Sequence, residues 1–166
     1  METKKSSWVG VGPLNKGFTI VEVTIVIVVM GIIASIAVVS TLGYQAGGRD
    51  RARINDIDAI ARSIEQSYRT QAAVTGPSYP SSAATPADIA AIVGDIDLVT
   101  APQQAGNSIV VVTTAGAQTP TVNQYMYQPL NVDGSICQTA PCVRYKLYYH
   151  LEDTDIVKTK DSLRQQ

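Results

Sequence analysis

Histidine occurs once in this chain, at His150, and cysteine twice, at Cys137 and Cys142. A single histidine, expected to point to solvent beside two cations, argues against a Ser-His-Asp hydrolase. Two cysteines and one outward histidine make no convincing zinc ligand set. HExxH, GxSxG and phosphate-loop patterns are missing. The sequence therefore gives no signal of an enzyme, and neither a cofactor nor a metal is expected. Charge is sparse and balanced, with 13 basic against 14 acidic side chains. Nothing global points to nucleic acid or to an acidic substrate. No internal repeat is evident.

What the chain does have is a long apolar run. Phe18 to Leu42 is 25 residues with one ionisable group, Glu22. At 1.5 Å per residue such a helix reaches roughly 37 Å, against about 30 Å of bilayer core. Its Val and Ile would favour strand in water, but in lipid only a helix satisfies its own backbone. A secretory signal does not fit, because the nearest small-x-small site, Ser35-Ile36-Ala37, lies inside the run. Charge leaves the orientation open. Lys4, Lys5 and Lys16 flank one side, and Arg49, Arg51 and Arg53 the other. A carboxylate in hydrocarbon costs several kcal/mol unless paired, neutralised or near a surface. Glu22 is thus either solvated near the headgroups or paired.

Lys16-Gly17-Phe18-Thr19-Ile20-Val21-Glu22 resembles the class III signal of type IV prepilins and their pseudopilin relatives. The resemblance is strong over residues 14–45 and weak afterwards. It implies a basic leader over 1–17, cut by a prepilin peptidase after Gly17, with N-methylation of the new terminal Phe18. It also implies a filament-assembly role for Glu22, which would meet the terminal amine of a neighbouring subunit. The charge pair would then be completed only in correct register, and losing one partner would leave a costly orphan. Many family members carry a proline in the long helix, whereas residues 18–76 here hold none. Gly31, Gly43 and Gly47-Gly48 are the positions where bending or melting is expected.

Beyond the apolar run, Ile54, Ile57, Ala61, Ile64, Tyr68 and Ala72 recur at helical spacing. Asp58 with Arg62, and Glu65 with Arg69, are candidate i, i+4 pairs. Thr75-Gly76-Pro77 ends this helix. Thr85-Pro86-Ala87-Asp88 reads as the start of a short helix that Gly94 stops. Strand signals follow at 109–114, at 124–130 and most clearly at 143–151. In the last, Val143, Tyr145, Leu147, Tyr149 and Leu151 alternate with Arg144, Lys146, Tyr148 and His150. Residues 152–155 turn the chain and 156–160 return it.

Outside the cytoplasm, Cys137 and Cys142 are expected to form a disulfide. Arg144, Lys146 and His150, joined by Lys158 and Lys160 across the hairpin, are a candidate basic surface that could attract DNA. Asp153, Asp155 and Asp161 could gather around calcium, but their spacing is not diagnostic and a polar turn is the plainer reading.

The expected fold is α+β, a long N-terminal helix packed on a small antiparallel sheet of three or four strands. The expected organisation is a leader (1–17), a membrane anchor and filament core (18–48), and a head (49–166). The head comprises an amphipathic helix (49–75), a loop and short helix (76–100), and a sheet with a C-terminal hairpin (108–162). The resemblance implies a type IV pilin subunit that waits in the cytoplasmic membrane with its head outside, then joins an extracellular filament. Its partners would be other pilin subunits, minor pilins among them, the prepilin peptidase and the pilus assembly machinery. Two alternatives are a pseudopilin of a type II-like secretion system and a single-pass anchored binding domain, with DNA as a ligand.

Overall fold

The computed structural model describes residues 17–71 and 76–164, with backbone only for 38–43 and 71. The leader, apart from Gly17, lies outside the described residues, as do Trp8, Ala72 and Thr75. The chain divides into two compact units, Met1–Thr41 and Leu42–Gln166.

Helix α1 is Ile20–Gln71, and Gly31, Gly43, Gly47 and Gly48 all have helical backbone. A glycine costs a helix interior up to about 1 kcal/mol, which a helix of this length absorbs. In the first unit, Ile20–Ala37 is long and apolar enough to cross a membrane, with a mean hydropathy of 2.7 and none of its residues buried.

The second unit is an α+β head. The order is the C-terminal part of α1, α2 (Pro86–Val93), β1 (Ile109–Val111), β2 (Tyr125–Leu130), β3 (Arg144–Leu151) and β4 (Ile156–Asp161). Thr85 caps α2 in a capping box with Asp88, Pro86 occupies its first turn, and Gly94 ends it in the left-handed conformation. The sheet order is β1-β2-β3-β4. It is mixed rather than purely antiparallel, because β1 runs parallel to β2. A parallel neighbour needs a long crossover, here residues 112–124. Part of that crossover folds over the outer face of the sheet, where Gln128 Nε2 donates to the Thr114 and Gly116 carbonyls at 2.9 and 2.8 Å.

The core lies between α1 and the inner sheet face. Ile57, Ile60, Ile64 and Tyr68 meet Tyr125, Tyr127, Tyr145 and Leu147. The buried stripe differs from the expected one, since Ile60 is inside and Ile54 is exposed. The expected i, i+4 pairs also give way to longer-range partners. Asp58 reaches Lys160 at 2.9 Å, and Glu65 is buried and bonded elsewhere.

Candidate functional site

Gly17, Phe18 and Thr19 precede the helix in non-helical backbone, and Phe18 is 88% exposed. The Gly17–Phe18 peptide is thus accessible and outside regular structure, the state a peptidase needs. Thr19 is the N-cap of α1. Its backbone N and Oγ1 donate to Glu22 Oε2 at 2.9 and 2.8 Å, and Glu22 N donates back to Thr19 Oγ1 at 3.2 Å. The Thr19 carbonyl accepts from Val23 N at 3.3 Å. This is a reciprocal capping box, which satisfies amides that a helix start otherwise leaves orphaned. The carboxylate also sits at the positive end of the helix dipole. Both Thr19 donors use Oε2, and among the described residues Oε1 has no donor. Glu22 therefore has a local function that the sequence reading missed. The signal was present as Thr-x-x-Glu ahead of an apolar run.

Behind this cap, the large apolar side chains from Phe18 to Ile36 are between 47% and 88% exposed. Residues 13–38 match the prokaryotic N-terminal methylation motif. The chain carries the class III signal of type IV pilins and pseudopilins. With that signal ahead of an apolar helix and an α+β head, the fold is pilin-like. Neither a curated protein nor a solved structure matches the chain. The class III signal implies processing by a prepilin peptidase, and the apolar helix behind it suits anchoring in a membrane.

In the head, Cys137 and Cys142 form a disulfide and both are buried. The ring is sewn to two neighbours. Tyr79 N donates to the Cys142 carbonyl at 2.8 Å, Ser82 N to the Cys137 carbonyl at 2.9 Å, and Cys137 N to the Pro129 carbonyl at 3.1 Å. Ser78 Oγ accepts from Cys142 N at 2.9 Å. The disulfide thereby joins the segment after α1 to the end of β2.

The five candidate basic residues do not form one strip. The β3–β4 register pairs Leu147 with Lys160 and Tyr149 with Lys158. Cross-strand partners share a face, so Lys158 and Lys160 lie on the face opposite Arg144, Lys146 and His150. Carboxylates also meet three of the five. Lys146 lies 3.9 Å from Asp161, Lys160 2.9 Å from Asp58, and His150 Nε2 2.9 Å from Asp155 Oδ1, the last without hydrogen-bond geometry. Tyr148, expected on the open polar face, is buried beneath the crossover and donates to Gln128 Oε1 at 3.0 Å. Asp153, Asp155 and Asp161 do not converge, and among the described residues no three His, Cys, Asp or Glu gather as a metal site.

Two buried polar clusters were not foreseen. Arg53 is 1% exposed, and its Nη1 donates to Asp50 Oδ1 at 2.8 Å and its Nε to the Val122 carbonyl at 3.0 Å. Asp50 also accepts from Glu152 N and Asp153 N at 2.8 and 2.9 Å. Arg49 pairs with Glu152 and holds its carboxyl below the usual range. The second cluster centres on Glu65, which binds Tyr79 and Leu163 N. Partners about a hundred positions apart leave no local trace in a sequence.

Proposed function

We propose that the chain is the precursor of a type IV pilin subunit that polymerises into an extracellular helical filament through its N-terminal helix. A prepilin peptidase cuts between Gly17 and Phe18, and Phe18 is N-methylated. The observation that carries this reading is the methylation motif continuous with a helix whose apolar side chains are uncovered. Lipid satisfies such a surface before assembly, and neighbouring helices can satisfy it afterwards. Glu22 supports the reading through its geometry. Oε2 closes the helix cap, and Oε1 remains for a second donor, the Phe18 amine of an adjacent subunit. The pseudopilin reading uses the same helix and differs in ending as a short periplasmic filament.

Mass spectrometry of the mature subunit, beside electron microscopy of the producing cells, tests the proposal. The expected chain begins with methylated Phe18, lacks Trp8 and so fluoresces through tyrosine alone, and forms surface filaments. A mature chain that retains Trp8, or begins after Ala37, would overturn the leader assignment. Filaments confined to the periplasm would favour the pseudopilin.

A further inference from the structure

The face of the sheet turned away from α1 carries a cavity of about 530 Å³. Pockets for small ligands span roughly 300 to 1,000 Å³. Strand register gathers its polar side chains on that one face. Lys146 is opposite Asp161 of β4 and Gln128 of β2, and Tyr148 is opposite Thr159. Arg144, two residues before Lys146, shares their face of β3 and lines the cavity too. Ala117 of the crossover lines it as well.

Two of these side chains are already committed. Gln128 is 1% exposed. Its Nε2 donates to the Thr114 and Gly116 carbonyls, and its Oε1 accepts from Tyr148. A satisfied buried network of this kind is rigid. Lys146, Thr159 and Asp161 differ, because their side chains make no hydrogen bond among the described residues. Lys146 Nζ stands 3.9 Å from Asp161 Oδ1, beyond hydrogen-bond reach. Their side chains are 43% and 45% exposed, so both remain open to a ligand. The charged lining is Arg144 and Lys146 against Asp161, a surplus of one positive charge. Asp133, the neighbour of cavity-lining Gly134, is taken up by Ser135 N and Oγ at 2.9 and 2.6 Å.

An ammonium and a carboxylate held just too far apart to bond each other suit a hydroxyl between them. A hydroxyl accepts from the first and donates to the second. The Thr159 hydroxyl offers a further donor and acceptor beside them. The surplus positive charge favours an anionic group on the same ligand, and a guanidinium matches a carboxylate. We propose that this cavity binds an acidic saccharide, a sugar that carries a carboxylate. A ring hydroxyl bridges Lys146 and Asp161, and the carboxylate lies towards Arg144. A bare phosphate would meet Asp161 as a repulsive neighbour. The inference stands apart from the filament reading, since every residue it uses lies in the head.

Isothermal titration calorimetry of the full chain, in a detergent without a sugar headgroup, tests the site. The probes are digalacturonate, the uncharged disaccharide galactobiose and inorganic phosphate. Digalacturonate is expected to bind saturably and several-fold more tightly than either control. Lys146→Gln and Asp161→Asn are each expected to weaken it several-fold, and Ala117→Trp to abolish it by filling the cavity. Circular dichroism of each variant is expected to match wild type. Either control binding as tightly as digalacturonate would overturn the acidic-saccharide assignment. No saturable binding of digalacturonate, or binding that folded Lys146→Gln and Ala117→Trp both retain in full, would overturn the site itself.

Discussion

The Tyr79 hydroxyl donates to both oxygens of the Glu65 carboxylate, at 2.9 Å to Oε1 and 2.8 Å to Oε2. Leu163 N donates to the same Oε1 at 3.0 Å. One buried carboxylate thus ties α1 to the segment that follows it and to the C-terminal tail. Burial, and then Glu65 itself, push the Tyr79 hydroxyl well above the ordinary phenol range. The phenol therefore remains a donor at all physiological pH. Tyr79→Phe keeps the ring contacts with Tyr68 and Tyr145 but removes this donor. The expected loss is about 2 kcal/mol, typical of a hydrogen bond to a charged group. Chemical denaturation of the detergent-solubilised chain measures it, and a loss within error of zero would contradict the coupling.

Glu22 has two separable properties, its cap and its charge. Gln at the third helical position still completes a capping box, so Glu22→Gln retains the cap and removes the charge. Glu22→Val removes both, at a cap cost of about 1 kcal/mol. Both variants are expected to be cleaved and inserted, because neither alters the Gly17–Phe18 bond or adds polarity to the helix. If the carboxylate pairs with an amine in the filament, both variants accumulate as mature membrane subunit without filaments. Immunoblots of membrane and sheared fractions decide between the two. Normal filaments from Glu22→Gln, with poor assembly of Glu22→Val, would leave capping as the whole role.

The Cys137–Cys142 ring is expected to be stabilising, since it closes a short loop and is bonded to two other segments. Cys137→Ser should lower the stability of the solubilised chain by about 2 kcal/mol. Labelling of either thiol in the native, unreduced protein would refute the pairing.

Acid should weaken the head. Asp88, Asp133 and Glu152 titrate below the ordinary carboxylate range, held there by the Thr85 backbone N–H, the Ser135 hydroxyl and the Arg49 guanidinium respectively. Each contributes stability that is present above its unfolded pKa and lost as pH falls through its folded one. Burial raises Asp56, which has the opposite sign: its contribution is present at low pH and lost as pH rises through its folded pKa. With three groups against one, the thermal midpoint should fall between about pH 7 and about pH 3. Arg49→Met should flatten the part of that slope due to Glu152. A midpoint unchanged across the range would contradict the assignment.

The sequence was most readable where structure is local. Thr85-Pro86 and Gly94 delimit α2 because caps and turns are chosen by neighbouring residues. The β3 alternation survives in buried Tyr145 and Leu147. Tyr148 departs from it because a crossover from another part of the chain covers its face. The fate of Glu65 and Asp58 was hidden for the same reason. Their spacing suited helix-surface pairs, but distant segments supplied better donors. The basic strip failed on strand parity, since a register fixed by the turn at 152–155 put Lys158 and Lys160 on the wrong face.

The uncovered apolar helix bears on the thermodynamics of moving a subunit in and out of the proposed filament. Lipid tails are as apolar as its Val and Ile side chains, so exchanging lipid for neighbouring helices yields almost no hydrophobic gain. Adding a subunit to the proposed filament and removing it would then run close to equilibrium along this surface. The direction would be set by small polar terms and by external work. A subunit returned to the bilayer would find its helix as well solvated as when it left, ready for reuse.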